Sequence, residues 1–303
     1  MAKILISDPI AEESVKSLEE AGFDLAIKTE LSPDELTKEI PQYEGIIVRS
    51  GTKLRAPILD AASNLKVIVR AGVGLDNIDL EHADELGIEV RNTPEASSNA
   101  VAELALGHML SLARNIPRGT QSLKEQNWIK GELKGTELLG KTLGLIGIGR
   151  IGQLVAKKCD ALGMDIVAFD KYVDEAPIPE VEMVKMDKLL EVSDYLTLHI
   201  PFVKSEGATI GREELRQMKD SCCVINCARG GVVDEDALTD ALANGWIAGA
   251  GLDVYTEEPL RNETLLSMDN ISLTPHLGAS TFEAQSRVGK QTVDEIVDFF
   301  GEV

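Results

Sequence analysis

The sequence predicts an α/β protein of two doubly wound parallel-sheet domains, the second inserted into the first. Three observations predict it. Short apolar runs alternate with amphipathic stretches over the first hundred residues, a second series of the same kind starts near Thr142, and the chain closes on a helical pattern, Thr281 to Phe300, that returns to the first series. Strands that alternate with helical segments give parallel sheets, because only a long crossover brings consecutive strands side by side in one direction.

In the first series, strands are expected at Lys3 to Ser7, Phe23 to Ile27, Gly45 to Arg49, Leu65 to Arg70 and Ile88 to Arg91. The turn-rich run from Asn92 to Asn99 then leads into the helical pattern Ala100 to Arg114 and marks the first domain crossing. Between Pro117 and Leu139 lies a polar arm with Trp128, Lys130 and Lys134, too irregular for a crossover and read either as a surface excursion or as a contact with a neighbouring subunit. The second series has strands at Thr142 to Ile146, Asp165 to Phe169, Tyr195 to Leu198, Cys223 to Asn226, Ala248 to Asp253 and Ile271 to Leu273, with a helix over Ile151 to Leu162. Residues 1–97 and 281–303 are thus expected to form one domain and residues 98–280 the other, with the cleft between them as the default active site.

At 303 residues the chain is long enough for two cores. No apolar run approaches the roughly 18 uncharged residues of a membrane helix, and Met1 to Asp8 opens on a strand pattern instead of a signal peptide, so a cytoplasmic protein is expected. The formal net charge of -21 repels nucleic acid and anionic membrane, which excludes both as main partners. An anionic substrate therefore needs local positive charge. Of the four cysteines, Cys159, Cys222, Cys223 and Cys227, the last three crowd into one strand pattern whose side chains alternate between faces. With no second ligand cluster nearby they read as reduced thiols, and no metal is expected.

The motif that carries most chemistry is Gly147-Ile148-Gly149-Arg150-Ile151-Gly152, between a strand and a helix. Such a turn lets backbone N–H groups at a helix N-terminus face a pyrophosphate. The next strand pattern ends in Asp170, whose carboxylate can accept hydrogen bonds from the adenosine ribose and would repel a 2′-phosphate; Lys171 follows it, but no arginine. The second domain therefore reads as Rossmann-like with NAD as cofactor.

Three more segments fall at strand ends of this domain: Asn226 to Gly231, Leu252 to Pro259 and Leu273 to Ser280. They bring a guanidinium, a carboxylate and an imidazole to the edge where open parallel sheets bind ligands. Oxidation of a 2-hydroxy acid needs those groups: a bidentate cation for the substrate carboxylate, a base for the hydroxyl proton, and an acid that orients the base. In this reading Arg229 holds the carboxylate and carbonyl oxygen and His276 moves the proton. Glu258 hydrogen-bonds the imidazole and favours proton donation in the reductive direction.

With these motifs in this order, the chain resembles the D-isomer-specific 2-hydroxyacid dehydrogenases over essentially its whole length. The resemblance implies a flavodoxin-like substrate-binding domain and catalytic roles for Arg229, Glu258 and His276. It places NAD against Gly147, Gly149, Arg150, Ile151, Gly152, Asp170, His199, Ile200, Pro201, Cys227, Ala228, Arg229, Asp253, His276, Gly278 and Ala279, with Val73 reaching it from the first domain. The segments from Val48 to Lys53 and from Val69 to Asn77 resemble the substrate loops of the branch that oxidises 3-phospho-D-glycerate to 3-phosphooxypyruvate, which opens L-serine biosynthesis. Arg49, Ser50, Lys53, Arg70, Gly72, Val73, Gly74 and, from the arm, Lys130 are the implied substrate residues.

Two departures stand out. Relatives often carry a hydroxyl residue where Val73 stands, and threonine or valine where Ile200 stands. The chain stops at Val303, so the C-terminal regulatory domains of some relatives, and feedback by serine through them, are not expected. The resemblance further implies a homodimer or higher oligomer and a small anionic 2-hydroxy or 2-keto acid substrate. Two alternatives stay open: a reductase of glyoxylate, hydroxypyruvate or another unphosphorylated 2-keto acid, and an NAD(H)-sensing protein like the co-repressors built on this fold. Of the other histidines, His108 is expected to be packed in its helix and His82 on the surface, while Trp246 is expected in the core.

Overall fold

The computed structural model describes residues 1–301; Glu302 and Val303, the end of the expected 281–303 segment, lie outside the described residues. The chain divides into two compact units, Met1–Ser97 with Ala279–Val303, and Ser98–Gly278. The return crossing thus falls between Gly278 and Ala279; the sequence reading has it near Ala279, with the domain bound after Ser280.

The first unit holds five strands, β1 Lys3–Ile6, β2 Asp24–Ile27, β3 Gly45–Val48, β4 Val67–Arg70 and β5 Glu89–Asn92, all parallel in the order β2-β1-β3-β4-β5. Their apolar residues alternate between two cores, as the period of a strand requires. Leu5, Ile46 and Ile68 face one layer, whereas Ile4, Ile47 and Val69 face the other. The helix Phe282–Gly301 covers that second face, burying Ala284, Val288, Thr292 and Ile296 at a spacing of four residues, one helical stripe. Arg91, on β5, ties the sheet edge to this helix through Glu295 and Asp298.

The second unit has seven strands, β6 Thr142–Ile146, β7 Asp165–Phe169, β8 Val181–Met183, β9 Tyr195–Leu198, β10 Cys223–Asn226, β11 Gly249–Leu252 and β12 Ile271–Leu273. All are parallel, in the order β12-β11-β10-β9-β6-β7-β8. From β6 the chain winds outward to β8, then returns to the far side of β6 and winds the other way. The reversal between β6 and β9 opens a crevice at the carboxyl ends of those strands, which is where such sheets take ligands.

The structure differs from the sequence reading in several places. Strand β8 was not expected: it has three residues, and Val181 alone is buried. The polar arm is less irregular than read, since it opens with the helix Ile116–Lys124, with Pro117 in its first turn, and contains a short 3-10 turn, Lys130–Glu132. Trp246 is half-buried at the edge of its core, under the Arg212 and Arg216 guanidiniums. His82 is partly covered and held between Asp60 and Glu85. The four cysteines are free and buried, with Cys222 in one core layer and Cys223 and Cys227 in the opposite one. Among the described residues no helix is long and apolar enough to cross a membrane.

Candidate active site

Every sequence-predicted residue of the second unit except Lys130 lies in a loop or helix start at the carboxyl end of a strand. After β6, Gly147 adopts φ +92, and a Cβ there would lie 2.7 Å from both the His199 carbonyl oxygen and Ile200 Cγ2. Only glycine makes this turn without strain and without displacing β9's loop. Gly149 then begins the helix Arg150–Asp160 with an ordinary φ of -67, and nothing lies within 4 Å of where its side chain would point. A Cβ at Gly152 would meet the Gly147 carbonyl oxygen at 2.2 Å, so the helix is packed tightly onto the turn.

Asp170, directly after β7, is fixed by the same turn. One carboxylate oxygen accepts from the Ile148 N–H at 3.0 Å and the other from the Tyr172 N–H at 2.9 Å. Lys171, next to it in sequence, is paired with Glu206 at 2.7 Å. A bare helix N-terminus next to an anchored carboxylate fits a dinucleotide whose pyrophosphate meets backbone N–H groups and whose ribose meets Asp170. Arg150 and Ile151 form the first turn of that helix. His199 follows β9, with Nε2 3.1 Å from Thr197 Oγ1, and Nδ1 has no partner among the described residues. Burial pushes its imidazole down to about 4, so the ring is neutral. Ile200 is half-buried against Gly147, and Pro201 is exposed.

The loop after β10 is shaped by Asn226, which is buried. Its Oδ1 accepts from the Ala228 N–H at 3.0 Å and its Nδ2 donates to the Arg229 carbonyl at 2.9 Å. These bonds hold the backbone that presents Arg229, whose Nη1 donates to the Ala228 carbonyl at 2.6 Å. Burial, with the Asp253 carboxylate adding to it, pushes the Cys227 thiol well up. The sulfur lies buried in the wall of the loop, where the thiolate is disfavoured.

The Glu258–His276 pair is assembled from the loops after β11 and β12. His276 Nδ1 lies 2.8 Å and 3.0 Å from the two oxygens of Glu258, so Nε2 is the ring nitrogen that Glu258 does not engage. His276 has a left-handed backbone, φ +55, unusual for a side chain of this size. The conformation is held by Asp253, only 1% exposed, whose oxygens accept from the Leu277 N–H at 2.6 Å, the Gly278 N–H at 2.8 Å and the Thr274 hydroxyl at 2.6 Å. Asp253 thus fixes the histidine loop with its whole carboxylate. A mainly apolar cavity of about 430 Å³ adjoins the pair, with Leu260, Leu266 and Leu273 among its walls. A larger groove of about 550 Å³ lies at the opposite ends of β6 to β8, by Thr142, Asp165 and Val181, and shares none of these groups.

In the first unit the implied substrate loops follow adjacent strands β3 and β4. Asp8, just beyond β1, is buried and accepts from the backbone N–H groups of Arg49 and Thr52 at 2.5 Å and 3.0 Å. Asn77 Nδ2 donates to the Arg49 and Thr52 carbonyls at 2.7 Å each, so the β4 loop braces the β3 loop. Arg49 Nη1 donates to the Pro9 carbonyl at 3.2 Å, and Ser50 and Lys53 are exposed. The Arg70 guanidinium folds over Gly72, where a Cβ would sit 1.6 Å from Nη1. Val73 is half-buried and its carbonyl accepts from Asn92 Nδ2 at 2.6 Å, while Gly74 is half-buried beside it. The Ala279 carbonyl accepts from Gln285 at 2.7 Å. Lys130 lies exposed on the second unit's arm, and no hydrogen bond or ion pair among the described residues links it to Arg229, Glu258 or His276. Sequence reasoning gave no role to Asp8, Asn77, Asn226 and Thr274; Asp8, Asn226 and Thr274 are polar residues at or just beyond strand ends, a signal by which they could have been found, whereas Asn77 lies within the loop after β4.

Residues 106–278, more than half of the chain, match the protein family described as D-isomer specific 2-hydroxyacid dehydrogenase, NAD binding domain. The chain is 49% identical to the hydroxypyruvate reductase of Thermotoga maritima over 303 residues, which cover 99% of this chain and 98% of that one. It is 48% identical to the D-3-phosphoglycerate dehydrogenase of Methanocaldococcus jannaschii, covering 98% of this chain but 57% of that longer protein. Among solved structures, the D-lactate dehydrogenase of Aquifex aeolicus complexed with NAD and lactic acid superposes with a TM-score of 0.87 at 31% identity, covering 99% of this chain and 95% of that one. Kinship of this extent leaves one conclusion: the chain belongs to the D-isomer-specific 2-hydroxyacid dehydrogenase family, and its second unit is the NAD-binding domain.

Proposed function

We propose that this protein oxidises 3-phospho-D-glycerate to 3-phosphooxypyruvate, the reaction that leads into L-serine. The observation that carries the phosphate is the placement of Arg49, Lys53 and Arg70 at the carboxyl ends of neighbouring strands β3 and β4. In a chain of net charge -21, three cations gathered at one sheet end supply the local field that a phosphorylated acid requires. The D-3-phosphoglycerate dehydrogenase from M. jannaschii, at 48% identity, supports the same reading.

NAD, when bound, supplies the nicotinamide ring that exchanges a hydride with substrate carbon 2. The chain's own residues do the rest. Arg229 pairs with the substrate carboxylate and with the oxygen on carbon 2, and so fixes which face of that carbon is presented. His276, oriented through Nδ1 by Glu258, takes the hydroxyl proton at Nε2 in oxidation and returns it to the carbonyl oxygen in reduction. Glu258 stabilises the positive charge that the ring carries between the two events. Asp253 and Asn226 hold the loops on which this geometry depends.

A second reading is favoured by one observation: the hydroxypyruvate reductase of T. maritima matches this chain end to end. On that reading the reaction type and residues are unchanged and the substrate is unphosphorylated. We also propose a homo-oligomer formed through the arm, where Ile116, Leu123, Trp128 and Leu139 are 51%, 60%, 80% and 69% exposed. Such apolar side chains on one arm are the kind of surface that a second copy would cover.

Steady-state NADH oxidation with 3-phosphooxypyruvate, hydroxypyruvate, glyoxylate and pyruvate side by side tests the proposal. A clear preference in kcat/KM for the phosphorylated acid supports it, and a preference for hydroxypyruvate replaces it with the second reading. Tight NADH binding without turnover of any acid would instead indicate a sensor.

A further inference from the structure

The helix Ser98–Ala113 carries a histidine that no step above uses. His108 is 2% exposed, and its ring is inserted over the sheet of the second unit at Gly251, where a Cβ would lie 2.7 Å from His108 Cβ. Both ring nitrogens are engaged, Nδ1 with Ser272 Oγ at 2.9 Å and Nε2 with Thr274 Oγ1 at 3.1 Å. Thr274 Oγ1 is in turn 2.6 Å from Asp253 Oδ1.

The direction of this chain follows from proton counting. The Asp253 carboxylate already takes two backbone N–H groups and is an acceptor only, so the single Thr274 hydroxyl proton points to it. Thr274 Oγ1 must then accept from His108, which places the imidazole proton on Nε2 and makes Nδ1 the acceptor for the Ser272 hydroxyl. Burial pushes the imidazole pKa down, against the opposing pull of the Asp253 charge, which favours the neutral ring that this arrangement uses. One line of donors therefore runs from Ser272 through His108 and Thr274 to Asp253. Each bond in it polarises the next, and the last acceptor is the carboxylate that fixes the Leu277 and Gly278 N–H groups and the left-handed backbone of His276.

We infer that His108 is a positioning residue for the proton transfer: with Ser272 and Thr274 it orients Asp253 and thereby holds His276 in line. The inference rests on the acid–base role of His276 proposed above. An apolar residue at position 108 would fill the same space over Gly251 but leave the Thr274 hydroxyl without its donor. That hydroxyl could then turn from Asp253, and the histidine loop would lose one of its restraints. Misplacement of a reacting group by a fraction of an ångström lowers turnover by roughly tenfold or more, with ground-state binding little changed.

The test uses full-length H108L, H108Q, T274V and the H108L/T274V pair, with kcat and KM measured on the better of 3-phosphooxypyruvate and hydroxypyruvate. The unfolding midpoint of each variant is measured in parallel, and H276A serves as the control. We expect H108L and T274V each to lose about tenfold in kcat, with both KM values within about twofold. The pair should fall no further than the worse single variant, where independent defects would multiply to about a hundredfold. H108Q, which can offer a donor and an acceptor, should recover most of the loss. Wild-type kcat in folded H108L, multiplied losses in the pair, or H108Q as impaired as H108L would each overturn the relay. T274V, which preserves volume, carries the test if H108L does not fold. Near-normal turnover of H276A would instead overturn the acid–base reading on which the relay depends.

Discussion

Replacing two neighbouring glycines of one turn by alanine should have different consequences, and the difference can be worked from their surroundings. At Gly147, φ is +92 and a Cβ would stand 2.7 Å from the His199 carbonyl oxygen and from Ile200 Cγ2, which is 0.7 Å short of the 3.4 Å at which ordinary contact begins. The left-handed backbone costs an L-residue about 1–2 kcal/mol, and the overlap with a fixed carbonyl adds roughly 1–3 kcal/mol. Gly147→Ala should therefore lose about 2–5 kcal/mol of stability, a fall of roughly 4–20 °C in unfolding midpoint, together with NADH affinity. At Gly149, φ is -67 and nothing lies within 4 Å of a Cβ. Gly149→Ala should fold like the wild type. Its methyl group, however, would occupy the space through which the pyrophosphate approaches the helix N-terminus, and a clash of about 1–3 kcal/mol weakens binding by roughly 5- to 150-fold. The assay pairs thermal unfolding with NADH titration by fluorescence. Wild-type NADH affinity in Gly149→Ala would refute the placement of the cofactor at this turn.

Other outcomes follow from the same geometry. His276→Ala should lose roughly 10²–10⁴-fold in kcat while NADH affinity stays nearly intact, and a single-turnover experiment with pre-bound NADH checks that the lost step is the chemical one. Asp170→Ala removes the carboxylate that accepts from the Ile148 N–H, so NADH should bind about tenfold or more weakly and the discrimination against NADPH should shrink, as parallel titrations with both cofactors would show. His82 is raised by its hydrogen bonds to Asp60 and then Glu85. Its contribution to stability is thus fully present below the unfolded value of about 6.5 and is lost as pH rises through the raised folded value. The wild type should melt above His82→Gln near pH 6 and level with it well above pH 7; a gap of constant size across that range would remove the histidine from the account.

What the sequence reveals of this molecule divides along a physical line. Thr142–Ile146, Asp165–Phe169, Tyr195–Leu198, Cys223–Asn226 and Ile271–Leu273 are strands over the residues expected, because buried parallel strands read as continuous apolar runs between breakers. Val181–Met183 escaped notice because an edge strand of three residues with Glu182 at its centre has no such run. The helix Ile116–Lys124 was hidden by Pro117 and Gly119, although a proline is tolerated in a first turn.

At the site, residue types that chemistry demands could be found: Gly147, Asp170, Glu258 and His276 stand out at the ends of strands. The long-range bonds that hold them could not, even though Asp253 itself reads as a site residue. Asp253 reaches across 24 and 25 positions to Leu277 and Gly278, and His108 across 164 to Ser272. Separations of that size are set by the order β12-β11-β10-β9 and the helix laid over it, not by any local period.

Action on a phosphorylated acid is decided by the ratio of kcat/KM for 3-phosphooxypyruvate over hydroxypyruvate, measured in the wild type and in Arg49→Ala. The ratio should be well above one and fall by about tenfold or more in the variant, with hydroxypyruvate kinetics nearly unchanged, since a charge-assisted contact to phosphate accounts for roughly 1.5–3 kcal/mol. A ratio below one that Arg49→Ala leaves unaltered would contradict it and assign the protein an unphosphorylated substrate.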